Sequence, residues 1–438
     1  MSKLKFNFEW IDPCGAQGRE LRATWARLQL EVGGEPITRL LDQTSKTVRD
    51  SVFLPLYPLA EWLVTHWWFL LNEIETPGRV TERNYASRHN FHYAGEGFAA
   101  PPVFFRPLGS TVKLDWEPVE FPHQRVEFVG RGAAYIEVGE FREIISDFVS
   151  AVISRLDDFD IAHTLLQQEW GTILETPREE QEFCEVSAAL GLDPYSMDPQ
   201  IEETILSVGN TLPAALIDEF FSAAELPLLQ EQAGSILRAL ELSRSNNADL
   251  ISLKRLRERF QEREVISGMP WEQGYQAARR LRRELDLDGQ ILTTFDDLSH
   301  AIGTDSRVLL DEAINTQFLR SYTFDAVIDV NDAGSPGFVI SHRSEDTFKF
   351  AFCRGLFEFL TAGAREPLLV TRTRSERQKR NRAFASEFLL PAETLRANIK
   401  TEFVGEEQIE DMADEFGVSP SVVRYQLHNH GIAHTIPF

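Results

Sequence analysis

The stretch "KFAFCRGLFEFLTAG" (Lys349–Gly363) decides how the last third of this chain is read. From Phe348 to Thr361 apolar residues fall on nearly every side, the mark of a helix enclosed by other elements. Yet the same helix carries Arg354 and Glu358, four residues apart and therefore on one face. Charges inside a protein need partners. The neighbouring sequence has to explain what those two side chains meet.

Outward from this helix the order of elements is informative. Upstream, "MPWEQGYQAARRLRREL" predicts a helix with an Arg-rich polar face, and "TFDDLSHAIG" a short helical segment. Two strands follow, in "SYTFDAVIDV" and "GFVISHR". Downstream come an Arg-rich stretch, a second long helix in "QKRNRAFASEFLLPAETL", and a helical pair in "IEDMADEFGVSPSVVRYQLHNHGI".

This order resembles the ImmA/IrrE family of zinc-peptidase-like proteins over roughly the final 170 residues. In that family two strands lead into a helix reading like R-F-t-l-A-H-E-L-G-H, whose two His bind zinc and whose Glu activates water. A second helix reading like E-A-N-x-F-A-A-x-L-L-M-P supplies a third ligand, and a "FGVSxxxVxxxL" helical pair follows. Here "AFASEFLLPAETL", "MADEFGVSPSVVRYQL", the "KF-AF-C" frame and Leu356 carry the likeness.

The resemblance implies a metal site, and the residues at its positions differ. H-E-x-x-H places two imidazoles one helical turn apart on the same ion, with the Glu polarising bound water. On the family frame the first His position is Arg354, the Glu position Gly355 and the second His position Glu358. The third-ligand position falls at Arg380, with Arg382 where the family often has Asn. No His lies between His342 and His428, so a shift in register restores nothing. Arginine stays protonated and is not an ordinary zinc ligand, and glycine cannot be a base. The site is thus expected to hold no metal and no cofactor and to lack the peptidase residues. In its place an Arg354–Glu358–Arg380 cluster is expected to tie the two helices, or its excess positive charge to bind an anion.

Composition sets the frame for the rest. The chain has 438 residues and a net charge of −24, which argues against coating nucleic acid through bulk electrostatics. Three scattered cysteines, Cys14, Cys184 and Cys353, suggest reduced thiols, and "MSKLKFNFEW" lacks a signal-peptide run. A cytoplasmic location is expected. "VFLPLYPLAEWLVTHWWFLL" (Val52–Leu71) contains Pro55, Pro58, Glu61 and His66, and reads as a buried helix starting near Pro58, not a membrane span.

The expected fold is α+β and multi-domain, in three segments. Residues 1–155 form a mixed α/β domain of unassigned role. Its strands are in "ATWARLQLEVGG", with "PITRLL" as return strand, and in "TVKLDW", "RVEFVG" and "AAYIEVG"; a helix over "EFREIISDFVSAVISRL" closes it. Six of eight tryptophans lie here and are read as core. "ERNYASRHNFHYAGEGFAAPP" reads as a long exposed loop with His89, His92 and Tyr93. Residues 156–265 are a helical linker or regulatory segment, and 266–438 the ImmA/IrrE-like, mainly helical, zincin-like domain with a small sheet.

The functional expectation is a catalytically inactive relative acting in regulation, stress response, phage defence or a toxin–antitoxin pair. It would bind a protein partner, such as a helix-turn-helix regulator or toxin, through Arg372, Arg374, Arg377, Lys379, Arg380 and Arg382. One alternative is a DNA-binding regulator. It would use Cys184–Met197, where Ala188, Leu190 and Leu192 face inward, or Met412–Leu427, where Arg424, Tyr425 and Gln426 are exposed. Against that, the helix preceding Gly417 is strongly acidic. Another alternative is an enzyme of a different class, with its site at His89, His92 and Tyr93. His428, His430 and His434 read as surface histidines.

Overall fold

The computed structural model describes residues 4–13, 17–77, 82–118, 125–245, 250–261, 268–307, 314–315, 323–331, 334–341, 344–362 and 366–435. Cys14, Ser321, Tyr322, His342 and Arg343 lie outside the described residues. The described chain is α+β and divides into two compact units, Met1–Asp198 and Pro199–Phe438. The three-segment division places boundaries elsewhere. Helices after residue 156 complete the first core, where Trp170, Cys184 and Ala188 pack, and those from Pro199 onward belong to the second unit.

In the first unit Leu4–Trp10 pairs antiparallel with Trp25–Val32 along its whole length, and Val52–Pro55 adds to the other edge. Gly33 (φ 61°) and Gly34 (φ 93°) make the turn, as the Gly-Gly pair suggests. The return strand differs from expectation: only Glu35–Pro36 pairs back. Proline has no N–H to extend a ladder, and Thr38 Oγ1 accepts the Leu30 N–H instead, at 3.1 Å. Leu40–Asp42 then joins a separate sheet with Thr47–Arg49 and Val126–Phe128. Val103–Pro107, Thr111–Trp116 and Gly132–Glu137 form an antiparallel meander.

Helix Tyr57–Thr65 begins one residue before Pro58, and Trp62, Trp67 and Trp68 are buried. Helix Val138–Asp157 buries Phe141, Ile145, Phe148, Val149, Val152 and Leu156, a stripe at helical spacing. Among the described residues no helix is long and apolar enough to cross a membrane. Residues 82–102 are not an open loop. Glu82–His89 is helical and Phe91–Gly95 a 3-10 turn, because Tyr85 and His89, one turn apart, are both buried.

The second unit is built on a four-stranded sheet in the order Ile314–Asn315, Pro336–Ile340, Phe324–Val330, Leu368–Thr371. The last three are antiparallel neighbours. Helix Glu345–Thr361 lies against this sheet. At Gly355 a Cβ would come within 3.2 Å of Ile328 and 3.4 Å of Phe338, so the absence of a side chain lets helix and sheet approach. Helix Glu376–Leu389 packs between it and Pro270–Glu284. The second contact is closer still: a Cβ on Gly274 would sit 2.3 Å from the Arg380 carbonyl oxygen.

Candidate functional site

The helices Glu345–Thr361 and Glu376–Leu389 meet through side chains at helical spacing on each. Arg354 and Glu358 come from the first; Arg377, Gln378 and Asn381 come from the second. Asn381 is the bridge. Its Oδ1 accepts from Arg354 Nε at 2.8 Å, and its Nδ2 donates to Glu358 Oε1 at 2.8 Å. Arg377 Nε donates to the other Glu358 oxygen at 2.8 Å. Glu358 is 4% exposed and Arg354 3%, so neither charge is shared with solvent.

All three nitrogens of the Arg354 guanidinium donate. Nη1 donates to Asp325 Oδ2, and Nη2 donates to the Thr371 carbonyl and to Gln378 Oε1. Asp325 sits on the strand Phe324–Val330 and also accepts from Arg372. Burial lowers the Arg354 pKa, and the charges of Asp325 and Glu358 oppose that fall. For Arg377 the balance is reversed. Burial lowers its pKa, but Glu358 and Glu219 outweigh it and hold it above the ordinary value.

A further layer comes from helix Ile217–Ala223. Glu219 Oε1 accepts from Thr371 Oγ1 at 2.6 Å, Thr373 Oγ1 at 2.9 Å and Gln378 Nε2 at 2.9 Å. Gln378 is thereby held in place: its amide oxygen serves Arg354 and its nitrogen serves Glu219 and the Leu369 carbonyl. Arg354, Glu358, Arg377, Gln378, Asn381, Asp325, Arg372, Thr371, Thr373 and Glu219 form one connected hydrogen-bonded body.

With strands leading into a helix and a second helix locked to its polar face, the region can be set beside known families. The family model of the IrrE N-terminal-like domain, peptidase M78, matches residues 339–428. The second unit carries an IrrE N-terminal-like domain. No curated protein and no solved structure matches the chain significantly.

Within the IrrE-like domain the expected cluster is corrected at one corner. Arg380 does not reach Glu358. It lies over the Phe357 ring at 5.9 Å, with Gln273 Oε1 at 3.4 Å from Nη1. One residue turns an α-helix by about 100°, so Asn381 faces the site while Arg380 faces the helix Pro270–Glu284. Arg377, one turn before Asn381, takes the place assigned to Arg380, and Arg354 meets Glu358 through Asn381 and not directly. Nor is the Arg-rich strip one exposed surface. Arg372 and Arg374 are exposed, Lys379 and Arg380 are half-buried, and Arg377 points inward. Arg382 Nη2 donates to the Thr373 carbonyl at 2.8 Å, and burial together with the Arg354 charge pushes its pKa down.

A zinc ion does not fit these residues. The Arg354 position carries a protonated guanidinium whose three nitrogens all donate to protein groups, Gly355 faces the sheet, and both Glu358 oxygens already accept bonds. Among the described residues no group of three or more His, Cys, Asp or Glu is placed to hold a metal.

Asn381, Gln378, Asp325, Thr371 and Glu219 are absent from the sequence-derived set. Asn381 alone left a signal, since the family frame expects an Asn one position later. The helical pair Glu406–Phe416 and Pro420–Asn429, joined at Gly417 (φ 59°), forms as expected. Its second helix differs in what it exposes. Tyr425 is 64% exposed, but Arg424 is paired with Glu406 and Gln426 is fully buried, donating to Glu387 Oε2 at 2.9 Å and to the Leu390 carbonyl at 2.6 Å. His430 likewise packs on Tyr275, its Nε2 3.4 Å from Glu387, while His428 and His434 are exposed.

In the first unit the three residues of the rival enzyme site do not converge on one polar centre. His89 is fully buried, its Nδ1 2.8 Å from the Phe105 carbonyl and its Nε2 2.9 Å from Glu73 Oε2. His92 Nδ1 lies 2.9 Å from the Ala100 carbonyl, and Tyr93 is 54% exposed. Burial would raise the Glu73 pKa, but hydrogen bonds from Arg88 and His89 outweigh it and hold the carboxyl low. Cys184 and Cys353 are free and buried, with thiols pushed by burial to about 11 and about 12.

Proposed function

We propose that the IrrE-like domain is a non-catalytic member of its family, acting as a regulatory module that recognises a protein partner. The observation that carries this reading is the Arg354–Asn381–Glu358–Arg377 chain, in which Arg354 and Glu358 occupy the two positions the family frame gives to histidines. An ion between two helices and a closed hydrogen-bond network do the same geometric work, which is to fix one helix against the other. The network does so with no open coordination position and no free base. A Glu at 355, where the frame puts the water-activating group, would meet Ile328 and Phe338.

The loss of hydrolysis leaves a folded scaffold whose remaining use is recognition, and the family resemblance points to helix-turn-helix regulators as the partner class. The test uses the purified full chain and the helix-turn-helix regulator encoded nearest to it. A stable complex with intact regulator on size-exclusion chromatography is the expected result. Cleavage of the regulator, or no complex at all, would overturn the reading. DNA recognition by the last helical pair is less favoured, because Gln426 and Arg424 are committed to Glu387 and Glu406.

A further inference from the structure

The first unit contains a cleft of about 780 Å³, independent of the IrrE-like domain, on whose walls Arg19, Arg22 and Arg155 gather with Trp10, Phe159 and Asp12. Its size is in the range of small-molecule sites. Elsewhere in this unit Arg27, Arg39, Arg49, Arg88 and Arg106 each pair with a carboxylate. None of the three cleft arginines forms an ion pair with a described residue. In a chain of net charge −24, three arginines sharing one concavity with a single carboxylate is a local inversion of sign.

Arg155 is held in position. Its Nε donates to the Ala23 carbonyl at 3.1 Å, and its guanidinium lies 5.2 Å from the Trp10 ring centre and 4.6 Å from that of Phe159. Cation–π contact with the two rings and the Nε bond hold the guanidinium, while its terminal nitrogens make no hydrogen bond to a described residue. Arg19 and Arg22 lie one turn apart on the short helix Arg19–Ala23, both exposed. Phe159 is 47% exposed, a large ring left on the rim.

We propose that this cleft binds a small phosphorylated molecule with a flat ring, the chemical class of the nucleoside phosphates. The guanidinium fork of Arg155 and the side chains of Arg19 and Arg22 would take the phosphate oxygens. The ring would lie against Phe159, and Asp12 would accept from a ligand N–H or hydroxyl.

The test is calorimetric titration of the full chain with ADP, GDP and UDP, with adenosine and inorganic pyrophosphate as partial ligands. At least one diphosphate is expected to bind, more tightly than pyrophosphate and far more tightly than adenosine. The double variant Arg19→Ser/Arg22→Ser, checked for an unchanged circular dichroism spectrum and melting curve, is expected to weaken that diphosphate roughly tenfold or more. Phe159→Ala should weaken the diphosphate more than pyrophosphate, since pyrophosphate loses only what the freed Arg155 fork contributes while the diphosphate also loses its ring contact. No binding by any of the diphosphates, or equal affinity in the double variant, would overturn the proposal. Equal loss of pyrophosphate and diphosphate in Phe159→Ala would overturn the role of the ring.

Discussion

Helix Glu376–Leu389 is anchored by two buried carboxylates that differ in kind, Glu358 near its start and Glu387 near its end. Glu358 comes from the neighbouring helix and is neutralised by Arg377 and an amide, inside a network that also holds Arg354 and Asp325. Glu387 belongs to the helix itself and gathers Arg279 at 2.7 Å, Gln426 at 2.9 Å and His430 at 3.4 Å. The first centre joins helix Glu345–Thr361 and the strand Phe324–Val330 to this helix. The second joins the helix Pro270–Glu284 and the C-terminal helical pair to the same framework. One helix is therefore fixed at one end by a neighbour's carboxylate and at the other by its own.

The sharpest way to break the first centre is Arg354→Ala. It takes a donor from Asp325, Asn381 and Gln378, the last two fully buried, and should cost about 3–5 kcal/mol in denaturant unfolding. A loss under about 1 kcal/mol would mean that the network relaxes and does not fix the helices. Next is Gly274→Ala, which pushes a methyl against the Arg380 carbonyl at the junction between the two centres. It should cost about 1–3 kcal/mol by overpacking, read as a fall in denaturation midpoint with unchanged slope.

Glu387→Gln separates the centres by pH. Burial would raise the Glu387 pKa, but His430, Arg279 and Gln426 beside it outweigh burial and hold the carboxyl below its ordinary value of 4.5. The unfolded chain then takes up the proton first as pH falls. The stabilisation is whole above the ordinary carboxyl range and is lost on acidification through the lower folded value. The variant should cost about 1–3 kcal/mol at neutral pH and less in acid, seen as a flatter midpoint-against-pH curve. The smallest effect is Tyr425→Ala on the exposed side of the last helix, within about 0.5 kcal/mol. A larger change would give that face a structural role.

The order of elements in the second unit was legible because the frame "KF-AF-C", "FLLP" and "FGVS" fixes helices and turns by apolar period and punctuation. Which polar residue faces the site was not. A one-residue uncertainty is a 100° rotation, enough to exchange Arg380 for Asn381. Glu219 was out of reach for another reason: it comes from more than a hundred residues upstream, and no local pattern announces that a carboxylate will meet Thr371 and Gln378. Gln426 and His430 were misplaced because both look like surface residues until Glu387 is known to be buried beneath them. In the first unit, "ERNYASRH" hides its helix because the side chains that turn inward, Tyr85 and His89, are polar ones.

The central claim is that side-chain hydrogen bonds hold the Glu345–Thr361 and Glu376–Leu389 helices where a family metalloenzyme would use an ion. Elemental analysis of the purified full chain, prepared with zinc in the medium and melted with and without a chelator, tests it most directly. The account predicts no stoichiometric zinc and the same melting temperature in both conditions. Zinc at one equivalent per chain, lost in Glu358→Gln and accompanied by a chelator-induced fall in melting temperature, would contradict it.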